Sequence, residues 1–281
     1  MREGTGGEPA PPPAPPGRSL RQAIATGVAL VVVLAVSSAF GAAAYFVLIA
    51  LAISLAVFEA IDALQQTGRR PSLAFTLACS LALLVAAYAS RPALFGVVLA
   101  LALYGGFALS LRSSRGPSPA SDVAWTLLVV GWIGGGGAAA TSLLVASSGR
   151  SLLTAYILVA AADDIGAFFV GRTWGAHKLA PQVSPGKTWE GFAGGLVAAV
   201  VAGAVAGTVV EPLGVMGGVL LGDLCGLIAP LGDLVESLFK REMGIKDSGR
   251  LLPGHGGVLD RLDALIFCAP AAYLYVIFFV E

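Results

Sequence analysis

Long apolar runs dominate the chain, and short polar breaks divide them. Nine runs can be counted, over residues 23–39, 42–61, 73–89, 93–109, 123–140, 152–170, 192–210, 213–234 and 262–280. About 20 apolar residues span the hydrocarbon of a bilayer as a helix, and these runs cluster near that length. The first two are parted only by a weak Ser-Ser-Ala-Phe-Gly turn at 37–41. Together they are twice one span, so two helices fit better than one. The pattern predicts an all-α integral-membrane bundle of about nine transmembrane helices. It contains no repeat of fixed period and no inverted pair of broken spans.

Charge gives the bundle a direction. With the N-terminus in the cytosol and nine alternating spans, Arg2, Arg18, Arg21, Arg69, Arg70, Arg112, Arg115, Arg172, Lys178, Lys187, Lys240, Arg241, Lys246, Arg250 and Arg261 fall on the cytosolic side. Only Arg91 and Arg150 fall outside, so 15 of the 17 cations are internal, as the positive-inside rule requires. The C-terminus then lies outside. Residues 1–21, with PAPPPAPP at 9–16, have little to bury and read as a disordered Pro-rich cytosolic tail. Residues 22–150 read as N-terminal membrane helices. Residues 151–281 read as a catalytic membrane region with two cytosolic loops.

Composition sharpens the location of the chemistry. Apolar residues make up 57% of the chain and charged ones 12%. Much of that charge sits in residues 237–263, which hold Glu242, Asp247, Asp260 and Asp263 with Lys240, Arg241, Lys246, Arg250, Arg261 and His255. Cys79, Cys225 and Cys268 lie singly in apolar runs without CxxC spacing and read as small core residues.

Two polar segments face the same side, 171–191 and 237–263, and can meet. Asp233 and Glu236 stand three residues apart at the end of the eighth span, on one helical face. Asp260 and Asp263 repeat that spacing where the ninth begins. Paired acids at two helix ends, with lysine and arginine between them, suit a hard divalent cation and a phosphate-bearing substrate. The turn Pro253-Gly254-His255-Gly256-Gly257 can bring backbone N–H groups to an anion. Ser184-Pro185-Gly186-Lys187-Thr188 offers a cation and two hydroxyls to a triphosphate or lipid headgroup. It fails the Walker pattern, because the first required glycine falls at Pro181. It matches SxxK but has no SDN or KTG companion. Asp163 and Asp164 lie within the sixth span, where acids are costly and point to function. Asp223 stands alone in the eighth and suits a polar helix–helix contact. Glu59 and Asp62 mark a helix end at the membrane interface.

Ser237, Lys240, Arg241, Lys246, Asp247, Gly249, Leu252, Pro253, His255, Gly256, Gly257, Asp260, Arg261 and Asp263 meet every fixed position of a pattern that resembles the phosphatidate cytidylyltransferases, or CDP-diacylglycerol synthases. Gly232-Asp233-Leu234 with Glu236-Ser237, and the stretch from His177 to Gly191, are similar to that family too. Asp164 falls where the family has an Asp before Gly-Ala-Tyr, with Phe168 here in place of the Tyr. The resemblance runs from Asp164 to the C-terminus; the first five spans share only length and apolarity.

The resemblance implies a membrane enzyme that condenses CTP with phosphatidate to CDP-diacylglycerol and pyrophosphate, at the cytosolic face of the cell membrane. Its partners would be CTP, phosphatidate and a second copy of the chain, with no nucleic acid. Its cofactor would be Mg²⁺, with a second cation beside it. Asp233, Lys240, Arg241, Lys246, Asp247, His255, Asp260, Arg261 and Asp263 would be catalytic. Ser184, Lys187, Thr188, Asp164, Glu236 and Ser237 would bind substrate. By position at facing helix ends, Asp233 and Asp260 are expected to ligate the metal; the competing assignment gives it to Asp247 and Asp263. A CTP-dependent polyprenol or lipid kinase shares the substrate class and metal need. A transporter would share the intramembrane acids but not the dense Lys/Asp/His loop. A transferase consuming a CDP-lipid would carry DGxxAR, which does not occur.

Overall fold

A computed structural model describes residues 20–112, 118–245, 249 and 257–280. The helices are α1 (Leu20–Phe40), α2 (Ala42–Gln66), α3 (Leu73–Tyr88), α4 (Ala93–Arg112), α5 (Pro119–Val129), α6 (Gly135–Val145), α7 (Gly149–Trp174), α8 (Trp189–Val209), α9 (Gly214–Glu242) and α10 (Leu259–Phe279). A π turn, Val130–Gly134, joins α5 to α6 in one continuous span, Pro119–Val145. Each of the nine apolar runs thus falls on a helical segment. Among the described residues, seven are long and apolar enough to cross a membrane; α3 is apolar but has 16 residues. At 1.5 Å per residue, α3 reaches about 24 Å, short of the hydrocarbon thickness.

Local sequence explains where the helices end. The break between α1 and α2 is one residue, Gly41, at φ 103°, which disfavours any side chain. Thr188 caps α8 by accepting the Gly191 N–H at 3.1 Å. Gly244, at φ 67°, stops α9. Its N–H reaches the Arg241 carbonyl and that of Ile245 reaches Lys240, which satisfies two terminal carbonyls.

Two expectations need correction. The fold is not wholly helical: β1 (Lys178–Ala180) and β2 (Ser184–Thr188) form a two-stranded antiparallel hairpin between α7 and α8. Prolines at 181 and 185 and the glycine at 186 bar helix there. The eighth span does not end near Leu234; α9 continues to Glu242, carrying Ser237, Lys240 and Arg241 as helix. The Glu236–Lys240 pair, spaced four apart, and the cations of the last turn favour that extension. Of the tail expected over 1–21, residues 1–19 lie outside the described residues, and α1 starts at Leu20.

Helices in lipid gain no hydrophobic energy by meeting, so packing holds them. Helices α8 and α9 approach through small residues spaced by four, Ala199, Gly203 and Gly207 against Gly222, Gly218 and Gly214, while Gly191 and Gly195 at the start of α8 pack on Ala167 and Asp163 of α7. A Cβ built on Gly203 would lie 2.9 Å from the Gly218 carbonyl carbon, so the two backbones are in contact. One buried cluster joins Ile53, Val57, Ile61 and Leu64 of α2 to Leu83 and Leu84 of α3, Phe239 of α9, and Leu259 and Ile266 of α10. Another joins Tyr45 to Leu152, Tyr156 and Val159 of α7, Leu221 and Cys225 of α9, and Cys268 and Val276 of α10. Helix α10 therefore packs in both. The three cysteines are free and buried, as expected.

Candidate active site

Four helix ends converge: the C-terminal parts of α7 and α9 and the N-terminal turns of α8 and α10. They enclose a cavity of about 610 Å³, within the range that takes small ligands. Asp163, Asp164 and Arg172 come from α7, Lys187 and Thr188 from the hairpin, Asp233, Glu236, Ser237 and Lys240 from α9, and Asp260, Arg261 and Asp263 from α10. Phe168 and Phe192 add apolar wall.

Ion pairs cross the cavity. The Lys187 ammonium donates to the Asp233 carboxylate and, at 3.4 Å, to the Pro230 carbonyl. Lys240 donates to Glu236 at 2.7 Å and to Asp260 at 2.9 Å, tying α9 to α10. The Gly257 N–H donates to the second Asp260 oxygen at 2.9 Å. Asp263 and Glu236 are buried. Asp163 is 1% exposed, and its Oδ1 has no hydrogen-bond partner among the described residues. The carboxylates of Asp163, Asp164, Asp233, Glu236 and Asp263 interact electrostatically across the cavity, as do Lys187 and Arg261 with Asp164.

Supporting contacts fix the frame. Phe239 packs edge-on to Trp125 and Trp132 at ring separations of 5.9 and 5.8 Å, which seats the end of α9 against α5 and the π turn. Arg69 stacks over Trp125 and pairs with Glu242 at 2.8 Å. Glu190, in the first turn of α8, accepts the backbone N–H groups of Ala176 and His177 and bonds the His177 ring at 2.6 Å. The Arg241 Nε donates to the Val183 carbonyl at 3.3 Å, anchoring the hairpin turn.

Of the expected residues, Asp164, Lys187, Thr188, Asp233, Glu236, Ser237, Lys240, Asp260, Arg261 and Asp263 meet at the cavity. Ser184 pairs with Ala180 at the turn end of the hairpin and is not among the lining residues. Arg241 likewise points to the hairpin. Thr188 already spends an acceptor on its cap. Lys246, Asp247 and His255 lie outside the described residues. Asp223 lies on an exposed face of α9. Arg172 was counted only as a cytosolic charge; its position directly after Gly171, eight residues past Asp164, is about two helical turns along the same face.

The donor set fits a metal in one particular way. Among the described residues, six carboxylates and four cations line the cavity, so acidic groups outnumber basic ones there. No three acidic, His or Cys groups among the described residues are close enough to cage an ion by themselves. Magnesium held by one or two carboxylates, with substrate phosphates completing the shell, matches both facts.

The fold and the site define a multi-helix membrane protein with a charged cavity at one end of its bundle. A family model described as the cytidylyltransferase family matches residues 21–279. The chain belongs to that family. Similar proteins include the phosphatidate cytidylyltransferases of Haemophilus influenzae, 50% identical over 134 residues (46% of each chain), and of Mycobacterium bovis, 36% identical over 197 residues (64% of each). That of Brucella suis biovar 1 is 48% identical over 123 residues, 44% of this chain and 46% of the relative. The chain thus spans from about half to just under two thirds of the length of these relatives.

Proposed function

We propose that this protein condenses CTP with phosphatidate, releasing pyrophosphate and leaving CDP-diacylglycerol in the membrane. The observation that carries the reading is the cavity in which Lys187–Asp233 and Lys240–Asp260 pairs face each other at the ends of apolar helices. A polyanionic nucleotide needs cations there, and an anionic lipid needs a site at membrane depth. The relatives that carry the activity in their names add support.

The chemistry is displacement at phosphorus. A phosphatidate phosphate oxygen attacks the α-phosphorus of CTP; the bond from that phosphorus to the bridging oxygen breaks, and pyrophosphate leaves with the electron pair. Such a step depends on in-line positioning and charge neutralisation, not on a protein nucleophile. Lys187 and Lys240 turn from their carboxylates to phosphate oxygens, and Arg172 and Arg261 hold the remaining charge. Asp233 and Asp260 would hold magnesium, which would offset charge on the triphosphate and the leaving group. The carboxylate excess also accommodates a second cation. Phe168 and Phe192 supply the apolar side on which acyl chains can lie.

The same reading places nine spans in the cell membrane, the N-terminus and the cavity on the cytosolic side, and the C-terminus outside. Residues 22–150 act chiefly as scaffold and 151–281 carry the site. A homodimer is supported by the exposed face of α9, where Asp223 stands among Met216, Leu220 and Leu227. An acid on a lipid-facing surface is costly, and a second copy would cover it.

The test is purified protein in detergent with phosphatidate and CTP labelled at the α- or the γ-phosphate. Label from the α-phosphate entering lipid supports the reading. Label from the γ-phosphate would replace it with a lipid kinase.

A further inference from the structure

Glu59 of α2 does not line the cavity, and its side chain is 2% exposed. Expected only to mark a helix end at the membrane interface, it is an acid buried between helices. Its Oε2 accepts the backbone N–H of Leu259 at 2.9 Å. That N–H belongs to the first turn of α10, where the cap residue Val258 provides no side-chain acceptor. A helix start leaves four N–H groups without internal partners, and a nearby Ser, Thr, Asp or Asn usually serves one of them. Here the acceptor comes from 200 residues earlier in the chain.

A second observation points to the same carboxylate. Glu59 Oε1 is buried and has no hydrogen-bond partner among the described residues. It abuts Gly249, where an added Cβ would come within 2.6 Å of the Glu59 Cδ. A Cβ on Gly257 would lie 2.6 Å from Oε2 and 2.9 Å from the Gly249 nitrogen. Gly249, Gly257 and Leu259 thus bring their backbones together on one side chain, and the two glycines leave it room.

Asp260 follows Leu259 directly. It holds the Gly257 N–H on one oxygen and Lys240 on the other. Whatever fixes the first turn of α10 also fixes this carboxylate against Lys240. We propose that Glu59 is a positioning residue of the cavity: it holds the first turn of α10 from α2 and so sets Asp260 in reach of Lys240. An isolated buried carboxylate is costly, so its place between two chain segments and a helix start implies that it organises them.

The activity arm of the test rests on the proposed function; the exchange arm does not. Purified full-length protein is compared with Glu59→Ala, Glu59→Gln and Glu59→Asp by hydrogen–deuterium exchange in detergent. Turnover of CTP with phosphatidate is measured in parallel. Glu59→Ala should speed exchange in peptides covering 257–264 about fivefold or more, with α8 and most of α9 unchanged. It should lower kcat about tenfold while moving the KM for CTP less than about threefold. Glu59→Gln keeps an acceptor oxygen and should restore wild-type exchange and most of the turnover. Glu59→Asp keeps the charge but withdraws the oxygen, and should behave like Glu59→Ala; it decides the matter where Glu59→Ala cannot be isolated folded. Unchanged exchange at 257–264 in Glu59→Ala or Glu59→Asp, acceleration spread over all helices, or fast exchange in Glu59→Gln would each overturn the assignment. A wild-type protein inert toward CTP and phosphatidate would sink the functional reading and leave the exchange result standing.

Discussion

Lys187 and Lys240 each pair with carboxylates of the cavity. A lysine placed this way contributes when a stronger anion draws it off. Replacing Lys187 by Ala should raise the KM for CTP about tenfold, because a charge-assisted contact to phosphate is lost. A CTP titration of the purified variant checks this, and an unchanged KM would make Lys187 a purely structural partner of Asp233. Asp233→Asn and Asp260→Asn each remove a carboxylate that pairs with a lysine and, on the proposed function, would hold magnesium. Each should lower turnover about 100-fold or more in a protein that still elutes as a single folded species. Near-normal turnover with unchanged magnesium dependence would pass the metal assignment to Asp247 and Asp263. These residues were legible in the sequence because ions stand out against an apolar background. Asp163 and Arg172 stood out less, since their role depends on which way α7 faces. Glu59 was illegible: its partner is a backbone amide 200 residues away.

At the level of elements, the α8–α9 pair positions Lys187, just before α8, against Asp233 on α9. Its glycines leave no space for side chains where the two helices touch. Gly218→Val should therefore force the helices apart, at a cost of about 1–3 kcal/mol or more from overpacking. Thermal unfolding in detergent would show a lowered midpoint, with Gly217→Val, which meets its nearest neighbours at 3.2 Å or beyond, as the milder comparison. Equal melting of the two variants would remove the glycine contact from the account. The spacing of four in Gly214, Gly218, Gly222 and Gly226 is visible in the sequence and identifies this face. The extension of α9 to Glu242 was harder to see, because hydropathy marks where a helix leaves lipid and not where it ends. The hairpin was hidden for a related reason: prolines and glycines exclude helix without specifying a strand pair.

For the molecule as a whole, nine alternating spans would put 15 of the 17 cations on one side of the membrane. A tag after Glu281 should be accessible only from outside the membrane, and labelling from the cytosolic side alone would overturn nine spans. The apolar helical segments were readable because apolar length is set by the bilayer. The joining of the two halves of the chain through α10 was not, since helix packing in lipid leaves little trace in periodicity. The resting ion pairs also give the cavity a selectivity of their own. An anion that binds either lysine would have to outcompete a carboxylate, so the site should behave as a counter-ion exchanger. On the proposed function, chloride and inorganic phosphate should displace the carboxylates poorly and a triphosphate well. On the proposed function, such a cavity should respond to a nucleotide of sufficient charge to displace both carboxylates at once. Its inhibitors should accordingly rank by charge, with CDP stronger than CMP and orthophosphate nearly silent.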